Sequence, residues 1–203
     1  MAGWTKKRFH AEPVTECPPG PNLGRLQASL SGVVILALDV SGSMSGSRLE
    51  QARKGCRQFA NEAVAEGYSV GVILWHQGID AISRPERSPR NAIALLEAAR
   101  AGGGNDFVPT LRGAHAVLMA MPAADRVLAV FGDGDLGNKQ AAIAASKPLI
   151  ADNIRIITCG LGDASAAQLD VISTEKAGSP RSAGSETIAD SIASMARGLV
   201  RKA

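Results

Sequence analysis

The chain has little aromatic character, few cysteines, no long apolar run and no strong excess of either charge. Phe, Trp and Tyr together make up 3% of the 203 residues. The ring platforms on which single-stranded nucleic acids stack therefore have few side chains to draw on. Cys17, Cys56 and Cys159 are too few and too widely spaced for a disulfide framework or a zinc pattern, which points to a reducing, cytoplasmic setting. Apolar runs such as Val33 to Leu38 are strand-sized, far short of the roughly 20 residues that cross a bilayer. No apolar stretch of signal-peptide length follows the charged N-terminus. The net charge is only +3, and the basic clusters Lys6-Lys7-Arg8 and Arg197, Arg201 and Lys202 sit at the chain ends, where solvated tails are usual. The expectation is a soluble domain with neither a nucleic acid nor a membrane as partner.

What is present is a layered pattern. Residues 1–31 hold Pro13, Pro18, Pro19 and Pro21 without apolar periodicity and read as an N-terminal arm. Residues 32–203 read as one domain of alternating strands and helices. Strands are expected at 33–38, 68–75, 79–83, 126–131 and 154–159, with a short sixth near 180–183. Helices are expected at 47–66, 91–101, 110–121, 138–151, 164–172 and 187–200. Only a few residues around Gln77-Gly78 join the second and third strands, too few for a parallel crossover, so the third strand should be antiparallel at the sheet edge. The fold expected is α/β: a doubly wound, mostly parallel sheet in the order 3-2-1-4-5-6, with helices on both faces.

Three loops at the carboxyl ends of the strands carry chemistry. The first strand runs into Asp39-Val40-Ser41-Gly42-Ser43, which sets three oxygen side chains at alternate positions before a helix. Such oxygens are hard ligands suited to Mg2+. Asp133 ends the fourth strand, the neighbour of the first in the expected order, so Asp39 and Asp133 should face one another. Two facing carboxylates repel, and a divalent cation relieves that repulsion. The third loop, Gly102-Gly103-Gly104-Asn105-Asp106-Phe107, permits close backbone approach but lacks the Gly-Lys-Ser/Thr of a phosphate cradle. Asp39 is expected at the loop mouth, outside the apolar core.

In order and separation these motifs resemble the von Willebrand factor type A family and its metal-ion-dependent adhesion site, over residues 33 to about 200. Ile156 to Asp163 also resembles the family's fifth strand. The resemblance implies that Ser41 and Ser43 bind Mg2+, or Mn2+, directly, while Asp39 and Asp133 act through water or hydrogen bonds. The family's threonine position is here Asn105, a departure; its carbonyl can still ligate a hard cation, and Asp106 or Thr110 are the nearest substitutes. The resemblance further implies a non-enzymatic adaptor whose cation grips an acidic residue of a partner protein, AAA+ ATPases and other members of multi-protein systems included. Two other readings stay open. One is a Mg2+-dependent phosphoryl hydrolase using Asp39, Asp133 and Asp135, and the other is a metal-free scaffold. His10, His76 and His115 share no ligand spacing and read as structural or surface residues. Arg84, Arg87 and Arg90 form a basic loop that reads as solvated.

Overall fold

A computed structural model describes residues 32–175, 182–183 and 188–199. The sequence-derived arm, residues 1–31, lies outside them. The sheet has six strands in the order β3-β2-β1-β4-β5-β6. They are β1 (Gly32–Asp39), β2 (Tyr68–Trp75), β3 (Ile79–Glu86), β4 (Asp125–Gly132), β5 (Ile154–Leu161) and β6 (Ser182–Ala183). All neighbours pair in parallel except β2 and β3, which are antiparallel across the short Gln77-Gly78 turn. β1 and β2 are buried along their whole length, as continuous apolar strands with cover on both faces must be.

The helices are α1 (Ser47–Ala65), α2 (Arg90–Ala98), α3 (Val108–Met119), α4 (Lys139–Ala151), α5 (Asp163–Leu169) and α6 (Ile188–Ser194). Side chains alternate along β1. Val34, Leu36 and Leu38 join Phe59 of α1, Leu96 of α2 and Ile192 of α6 in one core cluster. Val33, Ile35 and Ala37 face the other way, toward Leu111 and Leu118 of α3 and Leu149 of α4. With so few aromatics, close approach replaces bulk. A Cβ on Gly55 would lie 2.8 Å from the Ala189 carbonyl, so α1 and α6 meet backbone to backbone.

The elements differ from expectation mainly at their ends. β3 continues to Glu86 because register shifts in its pairing with β2 accommodate Pro85 at the sheet edge. α2 stops at Ala98, ahead of the glycine run. The expected helix at 164–172 tightens into a 3-10 turn at Asp170–Ile172, and the last one becomes α6 followed by a 3-10 turn at Met195–Gly198.

At the amino edge of the parallel strands Arg155 binds both carboxylate oxygens of Asp125, at 3.1 and 2.5 Å, and Glu175 at 2.9 Å. The Tyr68 hydroxyl lies 2.6 Å from Asp125 Oδ2 and 2.8 Å from the Leu199 carbonyl, which also accepts from Arg155. This cluster fastens the last described residue to the starts of β2, β4 and β5. Among the described residues no helix is long and apolar enough to cross a membrane.

Candidate metal centre

The opposite, carboxyl edge gathers the chemistry. β1 leads to α1 on one face of the sheet and β4 leads to α4 on the other, so the loops after β1 and β4 flank the crevice at the switch point. Asp39 ends β1. Its Oδ1 accepts from the Ser41 N–H at 2.8 Å and its Oδ2 from the Asp133 N–H at 3.3 Å. One carboxylate therefore ties the two loops together. It lies across the end of β4, where a Cβ on Gly132 would stand 2.8 Å from Asp39 Oδ2.

Asp39 is fully buried, which corrects the expected place at a loop mouth. The reason is the sheet itself: Asp39 is still a strand residue, opposite Trp75 in the β1–β2 register. Burial pushes its carboxyl from the ordinary 3.8 up to about 7. The Asp133 charge adds to the rise, and the hydrogen bonds from Ser41 and the Asp133 N–H oppose it.

Above Asp39 the two serine hydroxyls are 3.0 Å apart, and Ser43 donates to Asp133 Oδ2. With the Ser43 proton directed at Asp133, Ser41 is the donor between the serines. The oxygens thus form a chain from buried Ser41 through exposed Ser43 to the half-buried Asp133. The 3.0 Å separation is that of an ordinary hydroxyl hydrogen bond, and it also matches the about 2.9 Å between adjacent ligands of an octahedral Mg2+ at about 2.0–2.1 Å. Among the described residues no three His, Cys, Asp or Glu side chains assemble as a metal-binding group. The donor set here consists of hydroxyls backed by carboxylates.

The glycine loop is stitched to all its neighbours. Gly102 N–H donates to the Val40 carbonyl at 2.8 Å, and Gly42 N–H to the Gly103 carbonyl at 3.2 Å. Asp106 N–H donates to the His76 carbonyl at 2.7 Å, and Phe107 N–H to that of Leu136 at 3.2 Å. Asn105 Nδ2 reaches the Asp135 carbonyl at 2.8 Å, and Gly137, at φ +72°, sits where a Cβ would be 2.4 Å from the Asn105 carbonyl. Four of the five sequence candidates, Asp39, Ser41, Ser43 and Asp133, are thus connected directly. Asn105 is bound instead, through its amide nitrogen, to the loop that carries Asp133. Of its substitutes, Asp106 caps α3 by accepting from the Val108 N–H at 3.1 Å. Thr110 is buried with its hydroxyl unpaired among the described residues.

His76, expected as a structural or surface residue, takes a structural place, and Arg48 is a residue the sequence did not single out. A Cβ on Gly103 would lie 3.0 Å from His76 Nδ1, so the imidazole, directly after β2, covers the glycine loop. Arg48, in the first turn of α1, donates to the Ser43 carbonyl at 3.3 Å. His115 pairs with Asp152 at 2.7 Å, away from the site, and Arg84, Arg87 and Arg90 are exposed.

A family profile described as von Willebrand factor type A domain matches residues 34–135. Calcium-activated chloride channel regulator 1 of Sus scrofa is 29% identical over 168 residues, covering 79% of this chain and 18% of that protein. The chain therefore spans less than a fifth of that curated relative. Among solved structures, the vWF domain of the type V pili tip protein Mfa5 from Porphyromonas gingivalis superposes with a TM-score of 0.74 at 12% identity, covering 84% of this chain and 95% of that one. The pilus adhesin SpaC from Lactobacillus rhamnosus GG, in its open conformation, gives 0.70 at 14% identity, covering 84% and 30%. At these identities the structural likeness speaks for the fold.

Proposed function

Because the chain belongs to the von Willebrand factor type A domain family, we propose that it is a protein-binding module that grips a partner's carboxylate at a Mg2+-type site. Its relatives by fold include a pilus adhesin and a pilus tip protein, which supports the reading of a binding module. The observation that carries the metal reading is the hydroxyl pair of Ser41 and Ser43, 3.0 Å apart and linked to Asp133 over the buried Asp39 carboxylate.

Ser41 and Ser43 would hold the cation by their hydroxyls, with Asp39 and Asp133 acting from behind them and Asn105 Oδ1 as a further candidate oxygen. A cation held by neutral hydroxyls supplies a largely uncompensated positive charge that attracts an anionic oxygen. Ser43, exposed at the surface, is where that oxygen would arrive. Asp39 orders the loops by accepting two backbone N–H groups, so the site is organised before a ligand comes. The partner class is a protein presenting an acidic residue, and assemblies built around AAA+ ATPases fall within it.

Millimolar Mg2+ or Mn2+ should raise the melting temperature of the wild-type protein, since a ligand of the folded state alone stabilises it by mass action. The double substitution Ser41→Ala, Ser43→Ala should remove that rise. An affinity pull-down should recover the partner in Mg2+ and lose it in chelator. An unchanged melting curve in both ions would overturn the metal reading and favour the metal-free scaffold. Phosphate release from common phosphoesters or nucleotides would favour the hydrolase reading.

A further inference from the structure

Among the described residues four large apolar side chains are exposed, and two of them, Ile79 and Ile82, lie on the edge strand β3. They stand on the α3 side of the sheet, because they pair with Trp75 and Ile73 of β2, which belong to the core cluster on that side. Ile79 rests on α3 at Gly113, where a Cβ would lie 2.5 Å from Ile79 Cδ1. Beyond Gly113 the same face of the helix carries Ala116, Val117 and Ala120, exposed or half-buried and uncharged. The middle of β3 is open along its outer edge. Trp75 offers its carbonyl to Val40 on the β1 side, and Val72 offers its N–H to Ser83 Oγ on the β3 side. Backbone groups alternate along a strand, so Val72 and Leu74 face their partners Ser83 and Ala81. The N–H and C=O of Ile82, between those two, therefore point off the sheet. Asp80 and Arg84 stand two positions to either side of Ile82, both exposed. Asp80 lies 3.5 Å from His76, and Arg84 has no hydrogen bond or ion pair among the described residues.

We propose that β3 pairs antiparallel with β3 of a second copy of this chain, about a two-fold axis through Ile82. A two-fold interface must be complementary to itself. With Ile82 opposite its own counterpart, Asp80 of each copy falls opposite Arg84 of the other, and no like charges meet. An axis one residue on, at Ser83, would set Asp80 against Glu86, and an axis one residue back, at Ala81, would leave Asp80 and Arg84 unpaired. The charges thus select the register that the outward backbone groups of Ile82 also require. Register shifts in the β2–β3 pairing flank this stretch and Pro85 follows it, which keeps the open ladder short and unsuited to an arbitrary strand. Across the seam the isoleucines of the two copies share one side of the joined sheet, between the uncharged faces of the two α3 helices, and are removed from water.

Sedimentation velocity on the whole chain should show a monomer–dimer equilibrium. Asp80→Arg and Arg84→Asp, each alone, set like charges opposite one another and should weaken the dimer by about tenfold. The double variant Asp80→Arg, Arg84→Asp exchanges the pairs and should restore the dissociation constant to within about threefold of wild type. Loss of the His76 contact or a folding defect would be common to single and double variants, so neither can produce that restoration. Ile82→Lys, which sets two like charges on the axis, should give a monomer, while Arg87→Asp, beyond the strand, should leave the dimer unchanged. The proposal is overturned by a wild type that stays monomeric up to about 1 mM. It is equally overturned by a dimer that survives Ile82→Lys or both single reversals, by a double variant no tighter than the single ones, or by an Arg87→Asp variant as weak as they are.

Discussion

Removing the Asp39 carboxylate should change how stability depends on pH in the metal-free protein. The unfolded carboxyl titrates near 3.8 and the folded one near 7. Between those values the folded state holds a proton that the unfolded state has released, so stability falls as pH rises. The contribution is fully present below 3.8 and gone above 7. From pH 4.5 to pH 8 it amounts to about 3 kcal/mol. Asp39→Ala abolishes this term but leaves the N–H groups of Ser41 and Asp133 without their acceptor, a pH-independent cost of about 1–3 kcal/mol for each. Absolute stabilities of the two proteins can therefore cross, whereas the difference in slope survives. Urea denaturation in EDTA at pH 4.5, 6 and 8 measures it. Stability of the wild type should fall relative to the variant over that range, and saturating Mg2+ should restore more stability at pH 8 than at pH 5. Parallel pH profiles for the two proteins would refute the argument, because Asp39 would then be no more desolvated folded than unfolded.

Two further outcomes follow from the junction of the glycine loop with the Asp133 loop. Asn105→Ala should cost about 1 kcal/mol of stability, from loss of the bond to the Asp135 carbonyl, and should shrink the Mg2+ shift, whereas Asn105→Thr should retain the shift. Equal calorimetric Mg2+ affinities for Ala and Asn would show that this side chain contributes nothing to the cation. Gly137→Ala combines a left-handed backbone with a Cβ 2.4 Å from the Asn105 carbonyl and should destabilise by about 1–3 kcal/mol in urea. Wild-type stability in that variant would show that the two loops separate freely.

The sheet was legible because its signals are local. A six-residue apolar run, a turn too short for a crossover and Gly-marked helix ends each fix one element, and the strand order came from the doubly wound pattern that their alternation matches. The pairing of Asp39 with Asp133 followed from that order and from the family resemblance. The depth of Asp39 did not follow, because a residue at the end of a strand reads the same whether the next strand ends beside it or runs past it. The role of Asn105 was equally hidden: its amide is set by a carbonyl thirty positions away, on a loop whose path depends on Gly137. Arg155, Asp125 and Tyr68 look like ordinary residues at strand starts, and only the return of α6 to that edge makes them a cluster.

That cluster gives the domain a front and a back. β1 begins at Gly32 on the same edge to which Tyr68 and Arg155 hold the Leu199 carbonyl, and the serine and aspartate oxygens lie at the other end of the strands. Gly32 and Leu199 therefore both lie on the side away from the site, with a sheet about eight residues deep in between. The serine and aspartate oxygens are thus held at the far end of the strands from that edge, with Ser43 exposed at the surface. A bulky insertion at Ser45 or Gly104 should accordingly block whatever binds those oxygens, while a substitution in the Arg155 cluster should leave that binding intact.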